Sequence, residues 1–514
     1  MTTLSDQLIE QCAAYGVREF FGVQGGACAH LIRSASTNPD TSFTPVLNEQ
    51  SAGLCAHGYF MTTGQAAGVI VTTGPGFSNL ITGMMACYFD RVPLVVLCGQ
   101  VNQELNRAKE FGTRMYGFQE VDHAAIASHF SEHVIRVNGL STFSRATNMV
   151  ANIDKLQGPL FLEIQDDLQR RPSSPIELTS TTDLSRPYVE GSNRSEEAVL
   201  ATVRLLEASR RPILLVGAGV SESDFGSLSR LTAQARIPTI FSWGAQHLTD
   251  PNEPLHQGLF GTHSPGRGNE ILREADSLVC VGVGLLQHQV GKDRSAFGPD
   301  ASIIYVNSDF AECSRVLHDF APRAEAFVAT GRSFADLLVS RCEDLNTDYW
   351  PDRTWYSVED KQHDLTPEHA HDAVVVLAET LQQCRSDSVV FSDAGATLSW
   401  TYQAANLVNS PPIYTAFNVH NMGYALPASL GAAAAGVPTV LSINGDGGIM
   451  MNIQEFPHVR ECNIKTLILD NKGYGIIRQT QDDYLEGDHS GSSPQHPTSP
   501  LPEYDVAALS TAFG

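Results

Sequence analysis

At 514 residues the chain is longer than one hydrophobic core can organise, and length alone suggests about three domains. Its 57 acidic residues outnumber 33 basic ones, and the net charge of −24 creates a field that repels nucleic acid and anionic lipid. A phosphate-bearing ligand would therefore need local help from a cation or from backbone amides.

The N-terminal stretch carries Asp6 and Glu10 on a helical pattern, with no basic region leading into an apolar core, so no signal peptide is expected. Strand-like runs such as Gly68–Thr73 and Pro93–Leu97 alternate with helix-length amphipathic stretches through residue 165, as in a parallel α/β sheet. The polar segment Asp166 to Ser195 predicts a linker. A second α/β block starts with helical Glu196–Ala208 and strand Pro212–Val216. It continues through strands near Ile237–Phe241, Ser277–Val283 and Ser302–Val306, and ends near Val339. A further polar stretch, Cys342–Thr366, leads into a third block from His369. The apolar tract Tyr424–Ile443 is broken by Pro427, Gly431, Gly436 and Pro438, so it predicts a buried helix, a turn and a strand, not a membrane span. A helical Val506–Thr511 follows near the end with no closing strand, and the third block is expected to be incomplete there. The ten cysteines form no C-x-x-C pair and lie in mostly apolar surroundings, which favours reduced thiols in a cytoplasmic enzyme over a disulfide frame or zinc site.

Two segments follow predicted strands 25 residues apart and carry oxygen-bearing and small residues. They are Ile443-Asn444-Gly445-Asp446-Gly447-Gly448 and Leu467-Ile468-Leu469-Asp470-Asn471-Lys472-Gly473. In open α/β sheets the carboxyl edge of the strands is where ligands bind. Asp446 offers a carboxylate, Asn471 an amide oxygen and Gly473 a backbone carbonyl, a hard donor set suited to Mg²⁺. Gly447 and Gly448 would let backbone amides approach a diphosphate. Either segment alone could be an ordinary turn. Together they resemble the two ends of the thiamine-diphosphate motif.

A third segment, Val46-Leu47-Asn48-Glu49-Gln50-Ser51-Ala52, predicts a strand that ends in a glutamate and enters the small-residue helix Ala52–Tyr59. A buried glutamate is costly without a partner; the plainer alternative is a helix N-terminal charge favoured by the dipole. Thiamine enzymes need a carboxyl group that hydrogen-bonds the aminopyrimidine ring nitrogen, favouring the imino tautomer whose exocyclic nitrogen takes a proton from the thiazolium carbon. Thr72-Thr73-Gly74-Pro75-Gly76-Phe77-Ser78-Asn79 predicts a strand-to-helix turn whose backbone could line a pocket, with Phe89-Asp90-Arg91-Val92-Pro93 and Leu97-Cys98-Gly99-Gln100-Val101 following.

Three more segments make the resemblance explicit. Tyr116-Gly117-Phe118-Gln119-Glu120-Val121-Asp122 resembles the F-Q-E-x-D segment of the acetolactate-synthase branch of thiamine-diphosphate enzymes; His420-Asn421-Met422-Gly423-Tyr424-Ala425-Leu426-Pro427 resembles its G-x-M-G-x-x-L-P segment, and Met450-Met451-Asn452-Ile453-Gln454-Glu455-Phe456 its M-N-x-Q-E-L helix. The resemblance implies an α/β fold of three doubly wound parallel-sheet domains: pyrimidine-binding over 1–165, central Rossmann-like over 190–340 and diphosphate-binding over 368–514. It implies Glu49 as the catalytic acid–base, with Pro75, Asn79, Gly395, Met422, Gly447, Gly448, Gly475 and Ile476 around the cofactor. Met422 would prop the cofactor in its V shape. Asp446, Asn471 and Gly473 would hold Mg²⁺, and Gly25, Gly26 and Gln119 would border the substrate. It further implies a homodimer or homotetramer in which Glu49 of one chain meets Asp446 and Asn471 of its neighbour, acting on a small-molecule 2-oxo acid and a carbonyl acceptor.

The chain departs from the family where acceptors are chosen. Asn48 stands where histidine is frequent, Gln24 precedes Gly25 where proline is usual, and Thr480 replaces a tryptophan typical of branched-chain biosynthetic members. In the central block, Val216-Gly217-Ala218-Gly219 is a lone G-x-G, and Val281-Gly282-Val283-Gly284-Leu285-Leu286 lacks the arginine of flavin-binding relatives, so FAD is not favoured. The rival readings are a plain 2-oxo-acid decarboxylase, an acyloin-forming enzyme of specialised metabolism and a catalytically silent scaffold. A nicotinamide or flavin oxidoreductase would need a complete G-x-G-x-x-G, which the chain lacks.

Overall fold

The computed structural model describes residues 2–173, 194–264, 266–342 and 371–513. Most of the two expected linkers, 174–193 and 343–370, falls outside the described residues; the first begins with a short helix, Asp166–Gln169.

Among the described residues sixteen strands form three sheets, and every strand pair with a described register is parallel. The first sheet contains β1 (Glu19–Gly22), β2 (Ser42–Pro45), β3 (Ala67–Val71), β4 (Leu94–Gln100), β5 (His133–Val137) and β6 (Pro159–Gln165), in the order β2-β1-β3-β4-β6-β5. The second contains β7 (Pro212–Val216), β8 (Thr239–Phe241), β9 (His256–Leu259), β10 (Ser277–Val281), β11 (Ser302–Asn307) and β12 (Ala324–Val328), in the order β12-β11-β10-β7-β8-β9. The third contains β13 (Ser388–Ser392), β14 (Ile413–Tyr414), β15 (Thr439–Gly445) and β16 (Ile464–Leu469), in the order β14-β13-β15-β16. The fully buried runs of β3 and β4 are strands covered by helices on both faces. The α/β reading and the three blocks therefore hold.

The chain divides into two compact units. In the unit that contains the central sheet, residues 399–413 of the expected third block join it, and Trp243 stacks on Tyr402 with ring centroids 4.8 Å apart. The G-x-G turn here serves packing, because a Cβ on Gly217 would lie 2.3 Å from the Gly282 carbonyl oxygen.

The other unit holds the first and third sheets around a shared core. Its centre is a crossing between the helix Glu49–Thr63 and the helix Ala425–Ala434. Small residues allow the backbones to touch: a Cβ on Gly431 would lie 1.9 Å from the Cys55 carbonyl oxygen, and one on Gly58 would lie 2.2 Å from that of Ala428. Phe21, Leu54, Tyr424 and Val440 pack into one apolar cluster spanning both sheets. The tract 424–443 forms the expected helix, turn and strand, with Gly436 at φ +82° in the turn.

The strand expected to end at Glu49 is shorter. β2 stops at Pro45, the last bond to β1 being donated by Val46 N to the Gly22 carbonyl at 3.0 Å, and Asn48 caps the following helix by accepting from Gln50 N at 2.9 Å. Glu49 is thus the first residue of a helix that begins three residues before the predicted Ala52.

Candidate active site

The loops after β1, β2 and β3 emerge at the carboxyl edge of neighbouring strands and carry most of the expected residues of the first block. Glu49 is 8% exposed. Its Oε2 accepts from Asn79 Nδ2 at 3.0 Å, and its Oε1 lies 3.2 Å from where a Cβ on Gly76 would sit. Among the described residues no cation pairs with it. The same space for a Cβ on Gly76 is closed by Thr72 Cγ2 at 2.7 Å, and Thr72 also blocks a Cβ on Gly25 at 2.4 Å. Gly25, Thr72, Gly76, Asn79 and Glu49 therefore form one continuous wall. Pro75 is the first residue of the helix Pro75–Phe89 and, like Asn79 and Gly26, is exposed on it. Gln119 joins this wall: its backbone φ is +62°, its carbonyl accepts from Thr73 Oγ1 at 2.8 Å, and its Cβ sits 3.0 Å from the place of a Cβ on Gly74.

The third sheet offers a matching edge, because β13, β15 and β16 are adjacent and end at Ser392, Gly445 and Leu469. Asp446 follows β15, and its Oδ2 accepts from Gly473 N at 2.9 Å. Burial raises the pKa of its carboxyl group, and that backbone donor partly offsets the rise. The Asn471 side-chain oxygen faces the Gly473 carbonyl oxygen at 2.5 Å and Asp446 Oδ1 at 3.3 Å; only turning the amide over would make these contacts hydrogen bonds. In either orientation the Asp446 carboxylate, the Asn471 side-chain amide and the Gly473 carbonyl lie together, and with the amide oxygen turned inward they would match the donor set of a hard divalent cation. All three expected metal ligands are therefore brought together.

The glycines beside them have an additional reason. A Cβ on Gly447 would meet the Tyr474 ring at 2.2 Å, and one on Gly448 would fall at 2.0 Å from Asp393 Oδ2. Clearance for these side chains explains both glycines without a ligand. Gly475 begins the helix Gly475–Tyr484, and a Cβ there would lie 2.8 Å from Asn471 Nδ2; Ile476 is next on that helix and half-buried. Gly395 follows β13 with φ +82° and open space around it. Met422, 38% exposed, precedes Gly423, whose φ is +82°.

Contacts within the single chain join the two edges. Asn452 accepts from Ser51 Oγ at 3.2 Å and donates to the Gly423 carbonyl at 2.8 Å, and Glu455 accepts from Leu47 N at 3.1 Å. The resemblance implies that Glu49 meets the metal ligands of a neighbouring chain; here its helix already touches the third block of its own chain.

Several contributors carry no signal that the sequence reading used. Asp393 is fully buried and accepts from Ala394 N, Gly423 N and Tyr424 N at 2.9, 3.1 and 3.1 Å, so it shapes the segment bearing Met422. Burial raises its pKa to about 6, with these donors opposing the rise. Its position straight after β13 is a strand-end signal comparable to that of Asp446. His123 and Glu163, both buried, lie behind the Thr73–Gly76 turn and have no local motif.

The profile described as "Thiamine pyrophosphate enzyme, N-terminal TPP binding domain" matches residues 2–126, its central-domain counterpart residues 199–328 and its C-terminal TPP binding counterpart residues 393–514. The isozyme 2 large subunit of acetolactate synthase from Escherichia coli K12 is 27% identical over 518 residues, covering 99% of this chain and 89% of that protein. The isozyme 1 large subunit from the same strain is 28% identical, covering 92% and 82%. The large subunit from Lactococcus lactis is 25% identical, covering 96% and 84%. With three family profiles in the family's domain order and relatives aligned over nearly the whole chain, this chain belongs to the thiamine pyrophosphate enzymes, on their acetolactate-synthase-like branch.

Proposed function

We propose that the enzyme decarboxylates a 2-oxo acid, pyruvate foremost, and joins the resulting acyl unit to a carbonyl acceptor, with Mg²⁺ as the metal. The observation that carries this reading is the presence, at the strand ends of one compact unit, of a buried Glu49 with no cation paired to it among the described residues and of a close grouping of the Asp446 carboxylate, the Asn471 side-chain amide and the Gly473 carbonyl. Thiamine diphosphate, when bound, supplies the electron sink that 2-oxo-acid decarboxylation requires.

The residues of the chain would do the rest. Glu49 would share a proton with the aminopyrimidine ring nitrogen from a carboxylate oxygen, and Asn79 would hold the other oxygen in place. Asp446, Asn471 and the Gly473 carbonyl would hold the cation, which a chain of net charge −24 needs before it can accept a diphosphate. Met422 would offer an apolar surface, and Gly25, Gly26 and Gln119 would border the substrate. Thr480 and Asn48, which differ from the branched-chain enzymes, favour an acceptor other than theirs.

Mass spectrometry of products from a panel of 2-oxo acids and aldehydes, with thiamine diphosphate and Mg²⁺, tests this. An acetohydroxy acid or acyloin is the expected product. Acetaldehyde alone would reduce the activity to decarboxylation, and no consumption of any 2-oxo acid would overturn the reading. The same proposal includes a homodimer or homotetramer in a reducing, cytoplasmic setting. The free, mostly buried thiols suit that setting, and no described helix is long and apolar enough to cross a membrane. A fully active monomer in sedimentation would remove the oligomer.

A further inference from the structure

The Thr73–Gly76 turn is held from behind by side chains with no place in the reaction described so far. His123 has no exposed surface. Its Nε2 lies 2.9 Å from Gly74 N, and its Nδ1 lies 3.0 Å from Glu163 Oε2. A backbone amide can only donate, so Nε2 must carry a lone pair and the ring proton must sit on Nδ1, pointing at the carboxylate. Arg136 Nε stands 3.6 Å from the other Glu163 oxygen, and the Phe77 ring closes the imidazole edge-on at 5.3 Å. Gln100 Nε2 also lies 3.1 Å from Nδ1, but its two hydrogens have acceptors in the Val121 carbonyl at 2.9 Å and Glu163 Oε2 at 3.4 Å. The Thr73 hydroxyl, 3.3 Å from Nε2, donates to the Gln119 carbonyl, so the Gly74 N–H decides the tautomer and orientation of the imidazole.

Gly74 is the residue that starts the helix Pro75–Phe89, with φ +67° and ψ −115°, and has no side-chain cap of its own. The helix runs from there through Gly76, which lies against Glu49 Oε1, to Asn79, which donates to Glu49 Oε2. On its other side a Cβ on Gly74 would lie 3.0 Å from Gln119, whose carbonyl accepts from the neighbouring Thr73 Oγ1 at 2.8 Å. A shift of the turn would therefore be passed to both the Glu49 carboxylate and the Gln119 wall. A misplacement of about 1 Å can cost roughly 10²-fold in rate even when it originates away from the chemistry.

We infer that His123 is a positioning residue. By accepting the Gly74 N–H at Nε2, with Glu163 fixing the tautomer, it sets the turn that aligns Asn79 and Gly76 on the Glu49 carboxylate. This role rests on the proposed function for its kinetic consequence, but the tautomer is a property of the cofactor-free protein. Leucine at position 123 fills the space and leaves the Gly74 N–H without an acceptor. Glutamine places an oxygen the same number of bonds from Cα as Nε2, and so keeps the acceptor.

The test compares His123→Leu and His123→Gln with the wild type, using full-length protein. For His123→Leu, kcat should fall by about 10-fold or more while the KM for thiamine diphosphate changes by no more than about 3-fold, and His123→Gln should regain most of the loss. Equal losses in the two variants, wild-type kcat in both, or a loss confined to the cofactor KM would overturn the inference. A second arm serves if the leucine variant does not fold or if the wild type turns over no 2-oxo acid. Imidazole ¹⁵N NMR of the cofactor-free wild type should show a protonated Nδ1 and an unprotonated Nε2 for His123. A proton on Nε2 would overturn the inference whatever the enzyme's substrate, whereas a wild type with the expected tautomer but no 2-oxo-acid turnover would count against the proposed function instead.

Discussion

Asn79 Nδ2 donates to Glu49 Oε2 at 3.0 Å, linking the second turn of one helix to the first residue of another that starts beside a different strand. The bond uses one carboxylate oxygen and orients the other. Because it is a hydrogen bond to a group that carries charge when ionised, its loss is worth about 1.5–3 kcal/mol. Asn79→Ala is expected to reduce kcat on the order of 10- to 100-fold and to lower stability by no more than those about 1.5–3 kcal/mol, so the protein stays folded. Steady-state kinetics beside a thermal melt checks this.

Removal of a metal ligand should act on cofactor affinity before fold. Asp446→Ala and Asn471→Ala each delete an oxygen from the cluster at Gly473. Calorimetric titration with thiamine diphosphate and Mg²⁺ should show weakening of at least about 10-fold for each, roughly one charge-assisted contact. With a chelator present, the variants and the wild type should bind equally poorly.

Asp393 should make stability depend on pH. Its folded pKa of about 6 lies above its ordinary 3.8, so the folded state holds this proton more tightly than the unfolded chain. The associated stability is fully present below about pH 4 and is lost as pH rises through about 6. The difference corresponds to about 3 kcal/mol. Asp393→Asn removes the titration, so its stability relative to the wild type should improve by roughly 1–3 kcal/mol between pH 4 and 7, on top of any constant loss of hydrogen bonding. Denaturant titrations at several pH values measure it, and a pH-independent difference would contradict it.

The crossing at Gly431 should tolerate no side chain. A Cβ there would collide with the Cys55 carbonyl, so Gly431→Ala is expected to destabilise by about 1–3 kcal/mol or more. Gly226→Ala, at an exposed position inside the helix Glu222–Ala235 with open space around it, should stabilise by about 0.4–1 kcal/mol. Thermal melts of the two variants should move in opposite directions.

These positions also show what a sequence can and cannot reveal. Asp446 and Asn471 are legible because each lies within two residues of a strand's end, where few residue types serve and the spacing is local, and Glu49 because it leads into a run of small helical residues. The start of the Glu49 helix is not, because Val46 and Leu47 look strand-like and Val46 N still bonds to the first sheet, while the Asn48 side chain already caps the helix. Gly447 and Gly448 suggest backbone amides open to a diphosphate, and the structure adds a second reason for them, since Tyr474 and Asp393, 27 and 55 residues away, fill the places of their Cβ atoms. His123 and Glu163 meet across 40 residues, and only the sheet order brings them behind Gly74. Neither residue forms a local motif, so no period or spacing could pair them.

The central claim is that Glu49 drives proton movement on a bound thiamine cofactor. Hydrogen–deuterium exchange at the cofactor's C2, measured by quenched-flow NMR on wild type and Glu49→Gln with cofactor and Mg²⁺ saturating, tests it most directly. The amide cannot pass a proton to and fro with the pyrimidine nitrogen, so exchange should slow by about 10²- to 10⁴-fold while the protein stays folded. Exchange at the wild-type rate in Glu49→Gln would contradict the account.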